Sequence, residues 1–311
     1  MEVKETEVTK VSPSISKICM LLSAISMGSV GLFVTLLGNY QVYTIVLLRG
    51  IFGVFFLTLF MIKTHSFSRE FFSESFKLHW KPLIISGIVY PFVIYFYFFS
   101  IVIYGYAIAA FLLYTSGIFV IIFIIITKME KVPKISILSF ILALIGVAII
   151  MEFWNGQLVS LSLIIGVLSG LALGIFVFYK KIIYNQRNNF SQNVKARGDF
   201  DTFLAWWHAL FLIFAFLPLG AVDLLRLTLI DLIFAMLLGL IPTALAFALY
   251  NAGVKKDQGG NIIILSYIEP VFATILTVLI LKSLSIFTII GGALIIMANI
   301  IVLKFSTERD V

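Results

Sequence analysis

The 311-residue sequence is short of charge, cysteine and histidine, and each shortage removes a class of protein. Only 12% of its residues are charged while 61% are hydrophobic, and a soluble domain of this length has no interior large enough to hide so much apolar surface. The single cysteine, Cys19, rules out an intramolecular disulfide, and its place inside the first apolar run suits core packing. Three histidines, His65, His79 and His208, are too few and too scattered for a catalytic metal centre. No HExxH, GxSxG or Walker pattern is present, so neither a metal site nor a cofactor is expected and an intramembrane enzyme is disfavoured. The connections are also too small for a nucleotide-binding domain, which disfavours an ATP-driven pump.

What is present is lipid-soluble helix. A spanning helix takes about 20 residues, and ten would use about 200 of the chain. Runs such as Phe111 to Ile126 show no alternation of apolar and polar residues, which argues against a β-barrel. Helices satisfy their own backbone hydrogen bonds in lipid. Ten spans are read: Ile18 to Leu37, Tyr43 to Ile62, Pro82 to Ile103, Tyr106 to Ile126, Ile135 to Met151, Leu158 to Tyr179, Phe203 to Pro218, Leu229 to Ala252, Gly260 to Leu281 and Ile286 to Leu303. The expected fold is an all-α integral membrane protein. The first run lacks a clear small-residue cleavage site and reads as a retained helix.

The net charge of +7 would suit nucleic acid only if the basic residues gathered on one solvated face. They occupy short connections instead, so no nucleic-acid partner is expected. With the amino terminus inside, 19 of the 22 basic residues fall on the cytoplasmic side. Only Arg226 and Lys282 fall outside, and Arg49 lies within the second span. This follows the positive-inside rule and predicts a multi-pass protein of the cytoplasmic membrane with both termini cytoplasmic. The expected organisation is a tail over 1–17, a five-helix unit over 18–151, a second over 152–303 with a cytoplasmic loop over 180–202, and a tail over 304–311.

Sliding the chain by 152 residues brings Gly87 onto Gly239, Tyr95 onto Phe247 and Glu130 onto Lys282, with Pro91 one residue from Pro242. Five is odd, so tandem copies of a five-helix unit are inverted relative to one another, a pattern suited to alternating access.

Gly239-Leu-Ile-Pro-Thr-Ala-Leu-Ala-Phe-Ala-Leu-Tyr250, Leu265-Ser-Tyr-Ile-Glu-Pro-Val-Phe-Ala-Thr274 and Ile290-Gly-Gly-Ala-Leu-Ile-Ile296 resemble the second repeat of EamA-type transporters of the drug/metabolite transporter superfamily. Glu269-Pro270 sits where that family carries an acidic or similar group before proline. Arg49 and Glu130 look like its second-helix arginine and its joint glutamate. Lys282 departs from the glutamate usual at its place, and Met27-Gly28-Ser29 from the frequent Trp-Gly pair. The resemblance implies secondary transport of small metabolites, often amino acids or related compounds and frequently as export. A channel or small-molecule receptor is the alternative.

The polar remainder inside the spans supplies the candidate site. Glu269 lies nine residues into its span, about 13 Å deep, where an ionisable group costs about 2.5 to 3.5 kcal/mol. It suits a proton or ion coupling role or a substrate amine, or else is a neutral, hydrogen-bonded carboxyl. Arg49 either binds an anionic group of cargo or serves structure or gating near the outer headgroups. Pro91, Pro242 and Pro270 each remove a backbone donor and free a carbonyl, making hinges or static kinks. Tyr90, Tyr95, Tyr97, Tyr114, Asn261 and Tyr267 are candidates to line a cavity. His208, beside Trp206 and Trp207, either contacts cargo or packs.

Overall fold

The computed structural model describes residues 13–128, 138, 141–143, 145–146, 148–149, 161–190, 199–254, 268–281 and 285–307. Among these every regular element is helical: α1 (Pro13–Gly28), α2 (Val30–Leu36), α3 (Val42–Lys63), α4 (Arg69–Tyr104), α5 (Tyr106–Tyr114), α6 (Ser116–Thr127), α7 (Leu161–Phe190), α8 (Phe200–Leu224), α9 (Leu229–Gly239), a π-helical turn (Leu240–Leu245), α10 (Ala246–Val254), α11 (Ile268–Leu281) and α12 (Ile286–Thr307). Seven stretches are long and apolar enough to cross a membrane, and Ile268–Ile280 and Ile286–Ala298 form shorter apolar helices. The fifth expected span, Ile135 to Met151, lies largely outside the described residues, as do Glu130, Lys282 and residues 191–198.

The helices end, kink or break at places with local causes, some at the expected joints and some inside expected spans. Gly105 separates α4 from α5 at φ 77°, a conformation open to glycine at little cost. His79 departs from helical geometry at φ −133°, three residues before Pro82, whose ring and missing N–H disrupt the preceding turn. The first span breaks at Ser29, whose hydroxyl donates to the Ser26 carbonyl at 2.6 Å. The fourth breaks at Thr115, whose Oγ1 donates to the Leu112 carbonyl at 2.6 Å.

Helix boundaries also differ from expectation. The seventh span runs through Pro218 to Leu224, and the sixth continues as helix to Phe190 instead of opening into a loop at Lys180. That extension is held at its end, where Tyr184 donates to Asp201 and Lys180 Nζ lies 5.9 Å from the Tyr184 ring.

The two halves interlock. α1 packs on α10 and α11, α7 packs on α4, α5 and α6, and α3 packs on α8 and α9. α7 approaches α5 and α6 along Gly166, Gly170 and Gly174. A Cβ on Gly170 would stand 2.1 Å from Thr115 Oγ1 and 2.7 Å from the Leu112 carbonyl oxygen, and the Thr115 hydroxyl is already committed to that carbonyl. Gly170→Ala therefore forces a backbone shift at about 1 to 3 kcal/mol. The melting temperature in detergent is expected to fall by about 1.5 to 5 °C; an unchanged value would contradict this packing.

The outward surface changes character along α4. Ile84, Ile88 and Phe92 are exposed in one stripe that meets Trp80 and Lys81, then Lys77, Ser73 and Glu70. Lys81 Nζ lies 5.4 Å from the Trp80 ring. Such a succession suits a hydrocarbon face ending at an interfacial tryptophan and lysine. At another helix end, Thr228 and Asp231 form a capping box, and Tyr40 Oη donates to Asp231 Oδ2 at 2.7 Å. That bond to a carboxylate, with some desolvation, holds the Tyr40 phenol above its usual pKa.

Candidate functional site

α5 and α11 run antiparallel and are tied at two levels. At one, Tyr106 Oη donates to the Leu276 carbonyl at 3.1 Å and the Ala107 amide to Thr277 Oγ1 at 3.1 Å. At the other, Tyr114 Oη donates to Glu269 Oε2 at 2.9 Å. Tyr114 is eight residues past Tyr106 in a 22-residue span, about 12 Å from its start, which puts the Glu269 carboxylate near mid-span. Glu269 is half-buried as a residue.

Helix α1 reaches this point because Gly28 has no side chain. A Cβ there would stand 2.9 Å from the Glu269 carbonyl oxygen and 3.1 Å from Phe272 Cδ1. Ser23, one turn and a half earlier, donates from Oγ to the Ala246 carbonyl at 2.8 Å. Thus the position where the resembling family often carries Trp-Gly is a close helix crossing here.

Arg49 enters from α3 and is 6% exposed. Its Nε has no hydrogen-bond partner, and it makes no ion pair among the described residues. Its Cζ lies 5.4 Å from the centroid of the Phe98 ring, a cation–π contact that supplies no hydrogen-bond acceptor. Arg49 acts electrostatically on Tyr90, Tyr97 and Glu269, and Glu269 on Tyr97. Tyr90 and Tyr97 are buried on α4; being seven residues apart, they share one helix face. The site therefore gathers a guanidinium, a carboxylate and three phenols from α3, α4, α5 and α11.

Pro242 lies in the π-helical turn, where its missing N–H leaves the Leu238 carbonyl without its helical donor. Thr243 Oγ1 fills that place, donating to the Leu238 carbonyl at 3.1 Å. The turn rests on α3 one helical turn beyond Arg49: a Cβ on Gly53 would stand 3.2 Å from Thr243 Cγ2, and one on Gly239 2.3 Å from Phe52 Cβ. Pro91, its counterpart in the first half, lies inside the continuous helix α4. Pro270 is buried in the first turn of α11; the carbonyl it would free belongs to Ser266, outside the described residues.

The remaining candidates lie elsewhere. Tyr95 stacks on Phe216, with centroids 5.4 Å apart and planes at 20°. His208 is buried between Tyr90 and Phe176, at 5.4 and 4.6 Å, with Nε2 3.0 Å from Ser86 Oγ. Since Ser86 donates its own proton to the Leu83 carbonyl, the imidazole is placed to donate through Nε2, an arrangement suited to packing. Trp206 and Trp207 donate to Thr58 Oγ1 and the Leu83 carbonyl, within an aromatic cluster with Phe72, Phe76 and Phe203. Asn261 and Tyr267 lie outside the described residues. Among the described residues, no three His, Cys, Asp or Glu side chains are grouped to hold a metal ion.

A family model described as "EamA-like transporter family" matches residues 14–152 and again residues 161–304. Solved structures also match. One, titled only as the crystal structure of a protein, aligns over 96% of this chain and 99% of its own at 18% identity and a TM-score of 0.57, a likeness of fold. No curated protein matches.

Proposed function

The chain belongs to the EamA-like transporter family, and from that premise we propose that it is a secondary active transporter moving a small metabolite, an amino acid or related compound, by alternating access. The supporting observation is the pair Arg49 and Glu269. They come from the two matched repeats, lie buried or half-buried within the helical interior, and both act on Tyr97 without pairing to each other. Two opposite charges kept apart suit a cargo that carries both. A carboxylate can take two N–H donors from the guanidinium, and an ammonium can pair with the Glu269 carboxylate. A proton on Glu269 is the alternative occupant, and exchange between the two would couple cargo to a proton gradient.

The scaffold proposed is ten helices in two inverted five-helix units. The reciprocal packing of α1 on the second half and α7 on the first supports it, because each opening helix leans on the third and fourth helices of the other unit. The cytoplasmic membrane, with both termini cytoplasmic, is the proposed location. The positive-inside count and the Trp80–Lys81 boundary support it. The buried charges serve transport in this reading, with no enzymatic step.

Counterflow decides between a carrier and a channel. Proteoliposomes holding purified protein are preloaded with excess unlabelled solute, drawn from amino acids, nucleoside-like and drug-like compounds, and given a trace of the labelled one outside. At least one zwitterionic solute is expected to accumulate transiently above equilibrium, at least about tenfold over empty liposomes. Equilibration without overshoot for every solute that crosses would refute the carrier reading.

A further inference from the structure

Arg49 holds a permanent positive charge inside the protein. Guanidinium does not deprotonate in proteins and has five N–H donors to satisfy. Here it is 6% exposed, its Nε has no partner, and the aromatic face at Phe98 offers no acceptor. The carboxylate that shares its surroundings, Glu269, already accepts from Tyr114. Tyr90 and Tyr97 on α4 lie within its electrostatic reach. A buried guanidinium with an unpartnered N–H calls for an anion, and with no cargo bound solution can supply one.

We propose that Arg49 forms a binding site for a small singly charged anion, halide or carboxylate, which occupies the protein between transport events. A cargo carboxylate then enters by exchange, so the guanidinium passes from one anion to another without becoming bare. The anion site rests on the geometry of Arg49; its exchange with cargo rests on the transport reading.

Thermal unfolding of the purified full chain in detergent, followed by tryptophan fluorescence, tests the site without transport. At constant ionic strength, chloride replaces a bulky sulfonate buffer anion. The wild-type melting temperature is expected to rise with the logarithm of chloride above its dissociation constant, by about 3 to 6 °C at about 100-fold excess. Glu269→Gln removes a neighbouring negative charge and is expected to lower the chloride dissociation constant fitted to that rise at least about threefold. Arg49→Gln is expected to abolish the rise. Acetate is expected to give a similar rise and to remove any further effect of chloride, because both compete for one guanidinium.

An unchanged wild-type melting temperature, a rise linear in chloride concentration, additive effects of the two anions, or a full rise in Arg49→Gln would each overturn the proposal. Should Arg49→Gln fail to fold, the logarithmic wild-type rise and the Glu269→Gln shift still decide it. Failure here leaves counterflow untouched, and failure of counterflow leaves this melting test intact.

Discussion

Glu269→Gln is expected to reduce transport in proteoliposomes by about tenfold or more and to leave the residue of activity flat from about pH 5 to about pH 8. Glutamine keeps the volume, and its amide oxygen can still accept from Tyr114 Oη, so the tie at 2.9 Å between α5 and α11 survives. What disappears is the negative charge and the ability to exchange a proton. Tenfold corresponds to about 1.4 kcal/mol, just below the range of about 1.5 to 3 kcal/mol for a hydrogen bond to a charged group. The charged and titratable groups facing Glu269 are Arg49 from α3, Tyr97 from α4 and Tyr114 from α5. Reconstituted uptake measured across that pH range is the check. Full activity with an unchanged pH profile would remove Glu269 from both coupling and cargo binding.

Arg49→Lys is expected to raise the KM for a zwitterionic cargo by about 10- to 100-fold, with a smaller change in maximal rate. Lysine retains the charge but loses the planar fork that grips a carboxylate through two parallel bonds. It also loses the flat face that lies over Phe98. Concentration dependence of uptake separates the two effects: a loss confined to maximal rate with KM unchanged would assign Arg49 to gating instead of recognition.

The sequence showed the membrane character directly, because apolar runs need no partner to be recognised. Glu269, Arg49 and Tyr114 stood out as polar residues within those runs, yet their meeting depends on how α3, α5 and α11 cross, which no local pattern encodes. Tyr90 and Tyr97 were readable in part. Their seven-residue spacing places them on one face, whereas Tyr95, off that face, stacks on Phe216 instead. Pro242 marked the right place but not the π-helical form, which depends on Thr243 capping the freed Leu238 carbonyl. The breaks at Ser29 and Thr115 carry no proline, and their side chains reach back to backbone carbonyls within the same turn. Gly28 was visible as a departure from a family pattern, but its use as the clearance for the Glu269 backbone emerges only from the crossing of α1 and α11.

The double tie between α5 and α11 bears on how motion begins. Its two levels stand about 11 Å apart along the helices, and they differ in kind. The ties at Tyr106 and Ala107 join neutral groups, indifferent to protons and cargo. The Tyr114 tie ends on a carboxylate, so in the proposed carrier an arriving ammonium or proton would weaken it, from a charge-assisted bond to a neutral one, without removing the acceptor. Occupancy would then soften one end of the seam and leave the other unchanged. A seam softened at one end would favour swinging over sliding, with the neutral ties as its fulcrum.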